Sequence, residues 1–553
     1  MRFLEISLIG FVLFFSFIIN FYYGHQGLMP LDDLQNFNSG YRILTGDFPF
    51  RDYYSITGPF LDISQGYIYK IFGISWQSFV LHASIMNCLY SISVFLFLKS
   101  LEFKIKDCFF YSLSAGLLMY APSGNPTVEH NSLILSLIAT FFFIISLKEN
   151  KKGYLFASIF IFFISFFTKQ VPTSYFVIFC IIIYFSKIFS EVKISTIISI
   201  IIFSLFISFL FFLFFKLNKV QFTDMFEQYI LISTNLGESR FNNLDFNFIY
   251  EKISKLFFLL FLLIPSLYVS IITKKNDGFI IIASLSVIIS IYEVHSNNQP
   301  ITFSLLPIFI SLFYFFYSKE NLNPKFIKYF LIFIITYAFY RILRFEFFYL
   351  YIFILTFIYL YKFKKSNIKN LVLLYLFVSS FFYFEKYIKI RAWDELKEND
   401  LQSSFNAGSI NSKLSYLKWK TVYFKETVSE EKMIFSTLNY LENLKDDTNY
   451  ILISDYQIYN AILERKDFSP VKYWFENAAY PSKNHKLRSK FEEFFKSKII
   501  DNNISQIIFD NTAKFKSMDL KEFNWLYECS IQKTEFLQEK YIDVFEIKKN
   551  CIK

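Results

Sequence analysis

Apolar runs alternate with short polar breaks through the first two thirds of the chain. Thirteen such runs occupy residues 6–23, 76–98, 108–120, 131–147, 154–168, 173–186, 194–215, 256–273, 279–292, 302–318, 326–340, 347–361 and 370–384. The runs at 194–215 and 256–273 carry no charge between their flanking lysines, Lys193 and Lys216, and Lys255 and Lys274. A helix needs about 20 apolar residues to cross a bilayer, and in lipid a helix satisfies its own backbone. The pattern therefore predicts a membrane helix at each run. No small-residue cleavage site follows the first run, so it reads as a retained helix and not a signal peptide.

After Phe384 the pattern changes. Residues 450–455 and 505–510 read as buried strands, and 541–547 as a further strand. Between them, Leu487, Phe491, Phe494 and Phe495 fall at helical spacing. Strands alternating with helices imply a small α/β domain. The expected fold class is thus an all-α polytopic membrane domain of about 13 transmembrane helices, residues 1–388, followed by a small extracytoplasmic α/β domain, residues 389–553. The external loop 24–75 is too long and too apolar for a simple connection. It has helical character over 33–44, a break at Gly58-Pro59, and an amphipathic stretch over 60–72. Such stretches can lie in the membrane interface.

Composition strengthens the membrane reading: the 553 residues are 54% hydrophobic and include 78 Phe. One soluble core could not bury so much apolar surface. Nucleotide bias in a genome also enriches Phe, Ile, Lys, Asn and Tyr, so no stacking function is read from the aromatics. Basic clusters recur at alternate loops: Lys99, Lys104 and Lys106; Lys148, Lys151 and Lys152; Lys187 and Lys193; Lys274 and Lys275; Lys319, Lys325 and Lys328; Lys362, Lys364, Lys365 and Lys369. Positive loops stay inside. This implies a multi-pass plasma (inner) membrane protein with a cytoplasmic N-terminus and an extracytoplasmic C-terminal domain. The net charge of +10 is then a topology signal, and nucleic acid is not an expected partner. Cys529 and Cys551 share the external tail and can pair if that compartment is oxidising.

The chemistry concentrates in the first loop. Asp32 and Asp33 follow the first run directly, where paired carboxylates are costly and hard to explain as packing. Further along come Tyr41-Arg42-Ile43-Leu44-Thr45-Gly46-Asp47-Phe48-Pro49, then Arg51-Asp52-Tyr53-Tyr54, Gly58-Pro59 and Ile71-Phe72-Gly73. Pro126-Thr127-Val128-Glu129 enters the fourth run from outside, and Thr168-Lys169-Gln170 ends the fifth. In this order, over roughly the first 180 residues, the chain resembles the GT-C class of polytopic glycosyltransferases. More narrowly, it resembles the bacterial branch related to protein O-mannosyltransferases and lipid A aminoarabinose transferases (glycosyltransferase family 39-like). A polar external loop at 295–307, with His295, is a weaker further match. Many members carry Asp-Glu where this chain has Asp32-Asp33, which leaves the role of the second acid open.

The resemblance implies a polyprenyl-phosphate-linked sugar as donor and a glycan, lipid or protein acceptor outside the membrane. It implies inversion, with Asp32 as general base and Asp33 beside it in the catalytic pair. Lys169, Arg341 and Arg344 become candidates for the donor phosphate, since fixed cations stabilise such a leaving group. Arg51, Asp52, Glu129, Gln170 and His295 become candidates for substrate binding. Acidic side chains could hold a divalent cation without histidine, so metal dependence stays open. Each residue also has a plainer reading: the acids as a helix cap, Glu129 as a cap of the fourth helix, Lys169 as an interfacial anchor. Arg341 and Arg344 would mark a break between spans, and Arg51 would simply pair with Asp52. A polysaccharide polymerase or flippase handling lipid-linked sugars is the alternative function. A transporter would show internal repeats, and none is evident.

Overall fold

The chain begins as a succession of helices: α1 (Arg2–Tyr23), α2 (Gln35–Leu44), α3 (Phe60–Phe72), α4 (Trp76–Ser100), α5 (Ile105–Leu118), α6 (Val128–Glu149), α7 (Lys152–Phe166), α8 (Gln170–Glu191) and α9 (Ile194–Leu217). The structure is a computed structural model and describes residues 2–191, 194–232, 381, 384–424, 427–476, 478–510, 520–533, 541–548 and 551–552. Among the described residues four helices are long and apolar enough to cross a membrane: Phe3–Tyr23, Trp76–Ser100, Val128–Glu149 and Ile194–Leu217. They coincide with expected runs, and α5, α7 and α8 cover three more. The expected runs from 256 to 380 lie outside the described residues.

Helices in lipid gain little from hydrophobic contact with one another, so small and polar side chains hold them together. Between α1, α4 and α5 this is a buried seam. Ser16 Oγ donates to Ser91 Oγ at 2.9 Å, and Asn20 Nδ2 donates to Ser84 Oγ at 3.0 Å. Asn87 Nδ2 bridges the carbonyls of Ser16 and Gly116 at 2.9 and 2.7 Å. Between α6, α7 and α8, the hydroxyls of Ser136, Ser165 and Thr173 form a second such knot. Capping fixes where the spans start. Ser75 caps α4 and Thr127 caps α6, each side chain accepting from the backbone N–H three residues on.

The C-terminal part carries a four-stranded sheet in the order β3-β4-β6-β5, made of β3 (Tyr450–Ile453), β4 (Gln506–Asp510), β5 (Ser530–Gln532) and β6 (Ile542–Ile547). Only the β3–β4 pair is parallel. Alternation along the strands feeds two cores. Leu452, Ile508 and Val544 pack with Met433, Ile434 and Leu438 of the helix Thr427–Asn443. Ile451, Ile453 and Ile507 pack with Phe491, Phe495 and Ile499 of the helix Arg488–Asp501. A smaller ribbon pairs β1 (Phe405–Asn406) with β2 (Lys418–Trp419). Cys529 and Cys551 are joined by a disulfide, while Cys88, Cys108 and Cys180 are free.

The first loop is knitted to this C-terminal part by backbone bonds. Gly27 and Leu28 donate to the carbonyls of Lys418 and Lys420 at 3.0 and 3.2 Å, and Lys418 N returns to His25 O at 2.9 Å. Farther on, Tyr54 N donates to Pro470 O at 2.7 Å and Lys472 N to Tyr54 O at 3.2 Å. Leu28, Leu34, Phe37 and Tyr41 belong to the same apolar cluster as Trp419, Tyr456 and Leu452.

On its membrane side the loop rests on the end of α7. Gly58 N donates to Thr168 O at 3.1 Å and Phe60 N to Phe167 O at 3.2 Å. A Cβ on Gly58 would lie 1.9 Å from the Phe167 carbonyl oxygen, which only movement of the backbone can relieve. Gly58→Ala is expected to destabilise the protein by about 1–3 kcal/mol, the usual range for overpacking. Thermal unfolding in detergent checks it; an unchanged midpoint would show that the loop does not rest there.

Candidate active site at the first loop

Pro30 opens a short π-helical turn, Pro30–Leu34, that runs straight into α2. The turn separates the two acids. Asp33 is buried, and its Oδ2 accepts from Met29 N at 2.8 Å and from Asn125 Nδ2 at 3.1 Å. Asp32 is exposed. Neither side chain caps α2, whose preceding residue is Leu34. One carboxyl thus holds the turn closed while its neighbour is presented outward.

The floor beneath Asp33 comes from two other segments. Arg391 is fully buried and donates to the carbonyls of Ala121, Pro122 and Ser123 at 2.9, 2.8 and 2.6 Å. Its guanidinium also lies 2.8 Å from an oxygen of Asp394, which is itself fully buried. Burial pushes Asp33 well above the ordinary carboxylate range, and the charges of Asp394 and Asp32 push the same way. A carboxyl in that state suits an anchor better than a base at neutral pH. Asp32, on the solvent side, is the better-placed proton acceptor.

Asn36 links this turn to the next candidates. Its Nδ2 donates to Asp32 O at 2.8 Å and to Pro126 O at 3.1 Å. Three residues beyond Pro126, Glu129 forms an ion pair with Lys169. Since Thr127 already caps α6, Glu129 is not needed there. Gln170 Nε2 donates to Tyr229 O. Asp32, Asp33, Glu129, Lys169 and Gln170 are therefore joined through a few residues. Arg51 and Asp52 belong to another group. Arg51 Nη2 is 2.5 Å from Asp52 Oδ2 and 2.7 Å from Gly46 O, and Lys498 Nζ is 3.4 Å from Asp52 Oδ1. His295, Arg341 and Arg344 lie outside the described residues. Among the described residues, no group of three or more His, Cys, Asp or Glu side chains is arranged to hold a metal ion.

Sequence reasoning passed over the polar clamp behind α2 and α3. Asp62, fully buried on α3, accepts from Lys472 Nζ at 2.6 Å, Ser39 Oγ at 2.7 Å and Tyr53 OH at 3.0 Å. Next to it, Arg42 donates to Asp47 Oδ2 at 3.0 Å and to Ser469 O at 2.8 Å, with its guanidinium 4.2 Å above the Tyr53 ring. Asn38 Nδ2 donates to Asp467 Oδ2 at 2.5 Å. A signal was present in Asp62 itself, an acid among the apolar residues that open α3. Arg391 and Asp394, directly after the last apolar run, gave another.

A further acid stands at the carboxyl end of β3. Asp455 is buried, and burial followed by the nearby Asp510 charge pushes it up to about 7, against 3.8 for a free carboxyl. Between these two values the folded chain binds this proton more tightly than the unfolded chain. Its contribution to stability is therefore complete below about pH 4 and is lost as pH rises through about 7. Melting curves of wild type and Asp455→Asn should lie closest at about pH 4 and separate progressively from there to about pH 7. By about pH 8 the variant should be the more stable, and the same gap throughout would contradict the assignment.

No protein-family model matches the chain, and no curated protein matches it in sequence. Among solved structures, the crystal structure of ArnT from Cupriavidus metallidurans bound to undecaprenyl phosphate is similar at a TM-score of 0.44 and 8% sequence identity. That match spans 99% of this chain and 98% of the other.

Proposed function

We propose that the protein is an integral membrane glycosyltransferase that moves a sugar from a polyprenyl-phosphate donor to an extracytoplasmic acceptor. The observation that carries this reading is the division of labour in the first-loop pair: Asp33 buried and bonded as an anchor, Asp32 exposed beside it. The order of motifs over the first 180 residues and the four apolar spans support the same reading.

In the reaction, an acceptor hydroxyl or amine attacks the anomeric carbon from the face opposite the phosphate. Its proton passes to Asp32 as the new bond forms. The bond from that carbon to the phosphate oxygen breaks, and the electron pair leaves with polyprenyl phosphate. Attack from the opposite face inverts the anomeric centre. The leaving group is already a phosphate ester, so it needs positive charge more than a proton. We assign this role to Lys169, which pairs with Glu129.

Binding of polyprenyl phosphate, the product of donor breakdown, tests the donor assignment. Wild-type protein should retain it, and Lys169→Ala should weaken retention at least tenfold while the melting temperature stays close to wild type. No retention by folded wild type would overturn the polyprenyl-phosphate donor.

A further inference from the structure

The segment between α5 and α6 at residues 121–126 is buried throughout and is neither helix nor strand. Buried carbonyls need partners, and here each one has a side-chain donor. Arg391 donates to those of Ala121, Pro122 and Ser123. Asn20 Nδ2 donates to Gly124 O at 3.1 Å, Ser123 Oγ to Asn125 O at 3.3 Å, and Asn36 Nδ2 to Pro126 O at 3.1 Å. Three of the six carbonyls thus depend on one guanidinium. The same segment holds the acidic turn at two points. Asn125 Nδ2 donates to Asp33 Oδ2 at 3.1 Å, and Asn36, tied to Pro126 O, also donates to Asp32 O at 2.8 Å.

The Arg391 backbone sits in the left-handed region at φ 64°, a conformation that persists where the surroundings enforce it. Its Nη2 also lies 2.8 Å from Asp394 Oδ2. Both terminal nitrogens are committed inside the fold, and neither is presented to a substrate phosphate. A planar fork can satisfy successive carbonyls at once, which the point charge of a lysine ammonium does not.

We propose that Arg391 is a positioning residue for Asp32: by fixing segment 121–126 it sets, through Asn125 and Asn36, the direction in which the Asp32 carboxyl is presented. The role of Asp32 as base rests on the glycosyltransferase reading; the mechanical link from Arg391 to the acidic turn does not. Arg391 follows the last apolar run, so the geometry at Asp32 depends on the C-terminal part of the chain.

The test compares purified full-length wild type, Arg391→Lys and Asn36→Ala by hydrogen exchange and by transfer kinetics with polyprenyl-phosphate sugars. Both variants should exchange faster in the peptide covering residues 29–36, while β3 and β4 exchange as in wild type. Asn36→Ala leaves the Arg391 bonds intact, so it reads the link even where Arg391→Lys does not fold. Each variant should lower kcat about 10²-fold, the scale of a small misplacement at a reacting group, and leave the KM for donor unchanged. A raised donor KM with unchanged kcat in Arg391→Lys would make Arg391 a direct donor contact and overturn the proposal. Added to Asp32→Asn, either variant should cost nothing further, because no base remains to be positioned. The same fold-loss in both backgrounds would show a merely structural role and overturn it. Wild-type exchange over residues 29–36 in the folded variants would overturn it as well. Faster exchange there with no transfer by wild type from any donor would leave the link standing and remove the glycosyltransferase reading instead.

Discussion

Asp32→Asn abolishes sugar transfer in this account while the protein folds and binds its lipid-linked donor as before. The exchange keeps the size and hydrogen-bonding reach of the side chain and removes its ability to take a proton. A positioned general base contributes about 10²–10⁴-fold to the rate, so the fall should lie in that range and appear in kcat. Asp32 is exposed, and the hold on the turn comes from Asp33 through Met29 N and Asn125. The melting temperature should therefore stay close to wild type. Asp33→Leu should separate from it by unfolding earlier, since it leaves Met29 N and Asn125 Nδ2 buried without their acceptor. Initial rates and melting curves on the same preparations distinguish the two. Equal loss of rate in both variants with no change in melting would sink the division of roles.

The second large effect concerns the clamp between the first loop and the C-terminal part. Lys472 and Asp62 form an ion pair at 2.6 Å whose side chains are 3% and 0% exposed. Breaking such a pair by removing one partner leaves an uncompensated buried charge and costs about 3–5 kcal/mol. Lys472→Met should therefore destabilise the protein severely. Because α2 and α3 carry the contacts on both sides of the site, transfer should fall with it. Adding Asp62→Leu removes the stranded carboxylate and should restore much of the stability, as apolar replacements of buried pairs often do. The remaining Tyr53 and Ser39 hydroxyls lose an acceptor, so recovery should be incomplete. Denaturant titration of the two single variants and the double variant gives the coupling. Purely additive losses would show that the two residues act separately.

Much of the scaffold was legible because it is periodic. The runs at 6–23, 76–98, 131–147 and 194–215 each lie on a helix able to span a membrane, since twenty apolar residues in a row leave the backbone few choices. The amphipathic stretch 60–72 is α3, bounded by Pro59 and Gly73. Strands expected over 450–455, 505–510 and 541–547 fall at β3, β4 and β6. What periodicity does not carry is which polar groups meet across hundreds of residues. Asp62 and Lys472, or Asn38 and Asp467, share no local pattern. The π-helical turn also escaped, because one extra residue per turn has no signature in Pro30-Leu31-Asp32-Asp33-Leu34, yet it decides which acid is buried. Arg51 and Asp52 show the limit from the other side: the plainer reading, a mutual ion pair, matches the geometry.

The C-terminal part emerges as a component of the site, and not merely a neighbour of the membrane helices. It supplies Arg391 and Asp394 beneath Asp33 and Lys472 behind α3. Its backbone bonds to His25, Gly27, Leu28 and Tyr54 knit it to the first loop.

The most direct measurement is transfer from radiolabelled polyprenyl-phosphate sugars by the purified protein, with wild type and Asp32→Asn assayed side by side and the anomeric configuration of the product determined. Wild type is expected to consume a donor, release polyprenyl phosphate and give an inverted product, with the rate of Asp32→Asn about 10²–10⁴-fold lower. Folded wild type that binds a lipid-linked oligosaccharide but consumes no donor would contradict it and favour a polymerase or flippase.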